Sequence, residues 1–208
     1  WTVVPFFILI AMAFPATKTL LDIYDNDDAD MDIVVTGYQW KWKYEYINEE
    51  GENVAFFSNL RTPQTEIYNS ESKGEHYLLD VDEPLVIPVD TKVRFLVTAN
   101  DVIHSWWVPA LAVKRDAIPG FINETWTRAA TEGVYRGQCA ELCGKDHGFM
   151  PIVVNVVSKE EYASWLTEKQ AEAQQIKALM AQTFSMDDLM ERGKAVYDRN
   201  CMACHGAA

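Results

Sequence analysis

Four cysteines and four histidines occur in 208 residues, and most of them are clustered. Cys139, Cys143, His147 and Met150 lie on one short segment, CAELCGKDHGFM. Two thiols, an imidazole and a thioether are a soft donor set of the kind that suits copper. A further ligand has to come from elsewhere, and the candidate is His104 in DVIHSWW. Two bridging thiolates can hold two metal ions a bond length apart and share one unpaired electron between them. The charge change on reduction is then spread over both ions. Other chemistries use the same side chains. Cys139, Cys143, His104 and His147 would suit a closed zinc site. The two thiols could pair as a redox disulfide, although their spacing is CxxxC rather than CxxC. Met150 taken alone reads as core packing. A single-copper carrier uses one cysteine, so the second thiol argues against that class.

A second motif stands near the end of the chain. Cys201, Cys204 and His205 form CxxCH, the pattern that attaches haem c through two thioethers, with the histidine on the iron. The same residues could form a disulfide or a metal pair. They follow a segment, Asp187–Arg199, whose Leu189, Gly193, Val196 and Tyr197 have helical spacing.

These groups need elements to hold them. IVVTGYQWKWKYEYIN, from Ile33, alternates and is rich in β-branched and aromatic residues, which predicts a strand. Within it Trp42, Tyr44 and Tyr46 share a face with Trp40 by period two and are expected to be half-buried. Further strands are predicted at Tyr77–Val81, Leu85–Pro88, Lys92–Ala99, Ser105–Val113, Thr125–Ala130, Gly133–Gln138 and Ile152–Val157. Many short strands separated by turn residues indicate a mainly β sandwich or barrel. From Ser158 the pattern turns helical, with Ser158 as N-cap and Glu160 and Glu161 in the first turn. A new helix starts at Ser185, followed by Asp187 and Asp188.

Trp1–Leu21 carries only Lys18 as a charge and has nearly the length of a membrane span. A buried core helix or the rest of a signal peptide passes the same test. An acidic stretch, DIYDNDDADMD, follows as a linker. The net charge of -13 argues against nucleic acid, whose phosphates would repel the chain, and fits a basic protein partner. The chain begins without Met inside an apolar run and stops three residues after CxxCH, so it reads as cut at both ends.

GYQWKWKYEY, DVIHSWWVPAL, KRDAIPG and GQCAELCGKDHGFMPIVV closely resemble segments of cytochrome c oxidase subunit II. The resemblance implies a cupredoxin-like Greek-key β-barrel or sandwich with a binuclear CuA centre, preceded by a transmembrane helix and followed by C-terminal helices. It implies that Cys139 and Cys143 bridge two copper ions, that His104 and Met150 complete one, and that His147 and the Glu141 carbonyl complete the other. The Glu141 carboxylate would reach magnesium at the interface with subunit I. Trp40 matches the family's electron-input tryptophan, and Asp101 its docking carboxylates for cytochrome c. The domains expected are residues 1–24 as the remainder of a second transmembrane helix, 25–32 as linker, 33–157 as the copper domain and 158–184 as a helical linker. Residues 185–208 would begin a fused cytochrome c domain holding haem c. Partners would be oxidase subunits I and III and cytochrome c, in a bacterial inner membrane with the copper domain facing the periplasm. Oxygen reduction and proton pumping would occur in subunit I. Nitrous-oxide reductase has a similar ligand loop, but Glu141 stands where that enzyme typically has Trp. Quinol-oxidase subunit II shares the fold and lacks the copper ligands present here.

Overall fold

The computed structural model describes residues 1–47, 54–202 and 206. The chain divides into two compact units, Trp1–Gln170 and Ala171–Ala208. In the first, helix α1 (Val3–Tyr24) buries none of its side chains and is long and apolar enough to cross a membrane. Its 22 residues span about 33 Å at 1.5 Å per residue, close to the hydrocarbon thickness of a bilayer. The helix is moored to the domain beyond it, where the Trp126 indole donates to the Ile23 carbonyl at 3.1 Å.

Among the described residues the strands are β1 (Met31–Tyr38), β2 (Lys41–Ile47), β3 (Val54–Ser58), β4 (Leu85–Pro88), β5 (Val93–Ala99), β6 (His104–Val108), β7 (Val113–Ala117), β8 (Asn123–Thr127), β9 (Gly133–Cys139) and β10 (Pro151–Val157). They form two five-stranded sheets, in the orders β3-β2-β1-β5-β8 and β4-β10-β9-β6-β7. This is the mainly β arrangement expected from the sequence. Alternation explains the layering: Ile33 and Val35, then Trp42, Tyr44 and Tyr46, and Val93, Phe95 and Val97 all turn inward and are fully buried. From the second sheet Trp106 enters the same core, its ring 4.7 Å from that of Phe95.

Four expectations about strands need correction. The single strand from Ile33 is a hairpin, with Gln39 and Trp40 in the turn and Gly37 opposite Trp42. The apolar alternation of Tyr38, Trp40 and Trp42 runs on through the turn, which hid the reversal, although the buried parity changes from odd (Ile33, Val35) to even (Trp42, Tyr44, Tyr46). Trp40 is therefore a half-buried turn residue, whereas Trp42, Tyr44 and Tyr46 are strand residues with no exposed surface. Ser105–Val113 is two strands, broken by Pro109–Leu111 and by Ala112, whose φ of 55° is left-handed. Tyr77–Val81 is mostly turn, with one isolated bridge from Val81 to Leu60. Strand β3 and the short helix α2 (Gln64–Ile67) were not anticipated.

Helix α3 (Lys159–Met180) starts where predicted, with the Ser158 hydroxyl accepting from Glu161 N–H at 3.1 Å. Its first turns cover the first sheet: Tyr162 is buried, and the Trp165 ring packs tilted against Tyr46, centroids 5.1 Å apart. The second unit contains the end of α3 and helix α4 (Met186–Asn200), opened by a capping box between Ser185 and Asp188.

Candidate metal centre

The sheet topology explains why the sulfur and nitrogen donors meet. Strands β1 and β5 run parallel, with Gly37 beside Ala99, and Asn100 N–H donates to Gly37 O at 2.9 Å. The link from β5 to β6 therefore passes over the end of β1. His104 opens β6 on the same face as Trp106, so it points into the top of the sandwich and is completely buried. Strand β9 ends at Cys139, paired with Trp106, and Ala140 N–H donates to Ser105 O at 3.0 Å. The loop from Ala140 to Met150 then folds back over this end before β10 begins.

Cys139 Sγ lies 3.9 Å from Cys143 Sγ and 3.9 Å from His104 Nδ1. On the other side Cys143 Sγ is 3.5 Å from His147 Nδ1 and 3.5 Å from Met150 Sδ. The Glu141 carbonyl oxygen stands 3.3 Å from Cys139 Sγ, while the Glu141 side chain is exposed. Two sulfurs bound to one ion at about 2.3 Å in tetrahedral array stand about 3.7 Å apart. The spacing is thus that of donors sharing a metal. The ligand atoms of His104, Cys139 and Cys143 all fall within 4.8 Å of one another, and all three residues are buried.

A buried thioether aimed at a thiol distinguishes this cluster from a closed zinc site, which is made from thiolates and imidazoles. Met150 is 1% exposed with its sulfur inside the cluster, where copper is the ion such a ligand suits. The donors present fit a pair of copper ions.

The surroundings are equally specific. His104 Nε2 is 2.9 Å from Asp101 Oδ1, which directs Nδ1 toward the sulfurs. Trp42 meets the imidazole edge-on at 5.9 Å. Beneath the ring lies Gly37, where a Cβ would come within 2.7 Å of His104 Cδ2. Three donors from the β1–β2 hairpin hold the ligand loop: Gln39 Nε2 to Cys143 O at 2.8 Å, Trp40 Nε1 to Cys143 O at 3.3 Å, and Trp42 Nε1 to Met150 O at 3.3 Å. Burial alone would raise the Cys139 thiol, but His104 and backbone hydrogen bonds at Ser105 and Glu141 bring it below the ordinary value. Burial and the neighbouring Cys139 raise Cys143.

Every residue expected at the copper site is therefore brought into one cluster. Trp40 is placed against it through Cys143, and Asp101 through His104. Asp101 has both carboxylate oxygens engaged within the fold, because Oδ2 accepts from Gln39 N–H at 2.8 Å and Oδ1 from Val102 N–H at 2.7 Å. Cys201 caps α4 in the second unit, half-buried. Cys204 and His205 lie outside the described residues. Gln39, Gly37 and Gly144 were missed, since nothing in their identities signals a role until the hairpin turn is located.

The family profile described as cytochrome c oxidase subunit II, periplasmic domain, matches residues 31–157. The chain belongs to that family. Among relatives of this subunit II, a probable cytochrome c oxidase subunit 2 from Rickettsia conorii is 48% identical over 170 residues, 81% of this chain and 51% of the relative. Cytochrome c oxidase subunit 2 of Cereibacter sphaeroides is 39% identical over 193 residues, covering 88% of this chain and 64% of its own length. The chain spans 51–60% of the length of the Rickettsia relatives it matches. The crystal structure of the periplasmic domain of subunit II from Bradyrhizobium japonicum superposes with a TM-score of 0.61 at 43% identity, over 70% of this chain and 96% of that one. A structure of a mixed-disulfide intermediate between a thioredoxin-like protein and subunit II superposes with a TM-score of 0.57 at 42% identity, over 72% and 96%.

Proposed function

We propose that this subunit II holds a binuclear CuA centre between Cys139 and Cys143 and is the electron-input relay of a cytochrome c oxidase. The observation that carries the reading is the cluster of two thiols, two imidazoles, a thioether and a carbonyl, with His104, Cys139, Cys143 and Met150 buried and neighbouring donors 3.3–3.9 Å apart. Its family membership supports the same conclusion. When bound, two copper ions bridged by two thiolates supply a one-electron store whose charge change is shared.

The chain's own residues do the rest. Cys139 and Cys143 would hold both ions, His104 and Met150 would complete one side, and His147 with the Glu141 carbonyl would complete the other. The sandwich fixes these donors and excludes water, which keeps the geometry constant on electron transfer. Trp40 is half-buried at the turn and bonded to the Cys143 carbonyl, so it offers a short path from a donor haem. His147 is the way out, toward haem in subunit I, where oxygen reduction and proton pumping take place. Asp101 adds charge to the face that meets basic cytochrome c.

The exposed Glu141 carboxylate would take magnesium against subunit I, as an oxygen ligand for a hard cation. Helix α1 anchors the domain in a bacterial inner membrane, with the copper on the periplasmic side. Subunit III completes the assembly. Residues 185–208 begin a fused cytochrome c domain in which Cys201, Cys204 and His205 hold haem c. A thioredoxin-like partner, of the kind captured in mixed disulfide with a relative, would keep Cys139 and Cys143 as free thiols for the metal. Metal analysis with electron spin resonance tests the reading. Two coppers per chain with a mixed-valence signal are expected; one zinc and no colour would overturn it.

A further inference from the structure

We infer that Gln39 is a positioning residue that ties the two halves of the metal cluster together. The inference rests on the copper reading above and deepens it. The ligands come from two places far apart in sequence. His104 arrives on β6, held by Asp101, whereas Cys139 through Met150 arrive on the β9–β10 loop. Within the second sheet these arms are joined by β6–β9 pairing at Trp106 and Trp107, by the Ala140–Ser105 bond and by the contacts of Cys139 with His104 and Ser105. Gln39 joins them from the opposite sheet.

Its backbone N–H donates to Asp101 Oδ2 at 2.8 Å, and the other oxygen of that carboxylate is 2.9 Å from His104 Nε2. Its side-chain amide donates to the Cys143 carbonyl at 2.8 Å. One residue thus forms a continuous bridge from the outer nitrogen of one ligand to the peptide of another. The loop is shaped to receive it. Gly144 has φ +118°, and a Cβ there would stand 3.0 Å from Gln39 Nε2 and 3.2 Å from Trp40 Cζ2. An electron-transfer site gains from such a brace, because the distances among donors then resist change between oxidation states. Partners at this remove from a metal typically matter 10- to 100-fold in affinity or activity when lost.

Gln39 is exposed at the turn, so the competing role is contact with the electron donor. Two variants separate the roles in the purified oxidase complex. Gln39→Met keeps the length of the side chain and removes its donor. Gln39→Asn keeps the amide on the surface but falls one methylene short of Cys143, and it serves alone if the Met variant does not accumulate. Both should lose copper to a chelator about tenfold faster than the parent. Both should also change the copper hyperfine pattern in the electron spin spectrum while the KM for soluble cytochrome c stays the same. Parental chelation kinetics and spectrum, with or without a raised KM, would overturn the inference. A parent complex without the two-copper signal refutes the copper reading itself, whatever the variants do.

Discussion

Trp40 Nε1 and the Cys143 carbonyl oxygen stand 3.3 Å apart, so a half-buried indole hydrogen-bonds directly to the peptide of one of the two clustered cysteines. Replacement by Phe keeps an aromatic ring in the turn and removes the bond. Gln39 still holds the same carbonyl at 2.8 Å, so Trp40→Phe should retain full copper content. Electron input from cytochrome c, followed by stopped-flow absorbance, should slow about tenfold. Unchanged input kinetics would remove Trp40 from the path.

Met150 is 1% exposed and contributes its sulfur 3.5 Å from Cys143. Leucine nearly matches its volume, and such swaps cost less than about 1.5 kcal/mol. Met150→Leu should therefore fold and stay coloured, with a shifted copper potential in a redox titration. Cys139→Ser should abolish the binuclear spectrum altogether. A potential identical to the parent's would make Met150 a core residue and not a ligand.

Gly137 allows β9 to approach β6. A Cβ at this position would lie 2.0 Å from the Trp107 carbonyl oxygen, which is backbone and cannot swing aside. Gly137→Ala should destabilise the domain by about 3 kcal/mol or more, at the upper end of overpacking costs. It should also disturb the copper spectrum, because Cys139 is two residues on. Thermal melting followed by circular dichroism measures the first effect and electron spin resonance the second.

Burial raises the phenols of Tyr44, Tyr46 and Tyr162 above the ordinary tyrosine value. The folded state therefore keeps these groups neutral where the unfolded chain would ionise them. The stability they confer is complete below about pH 10 and falls as pH rises above it. A titration at 295 nm should show these three ionising only together with unfolding. Their reversible ionisation without loss of the fold would contradict it.

The candidate donor set was legible in the sequence because chemistry restricts it. Few residue types bind soft metals, and five of the six candidate donor positions lie on one segment. Helix starts at Ser158 and Ser185 were legible for a similar reason, since a capping hydroxyl acts locally. The β1–β2 reversal was hidden. Gln39 and Trp40 carry no glycine or proline signal, and the inward parity of Trp42 continues that of Trp40. Missing that turn meant missing Gln39 and its bond to Asp101. Only the register of β1 against β5 brings Gly37, Asp101 and His104 together. Such neighbours depend on pairing between distant strands, which a single sequence does not display.

The parallel pairing of β1 with β5 also orders events during biogenesis. Residues at positions 37, 104 and 139 become neighbours only after both sheets have closed, and contacts of such long range form late. A nascent chain can offer the Cys139–Met150 segment early, but never the complete cage. A metal pair held as proposed would find its complete donor set only in the closed domain.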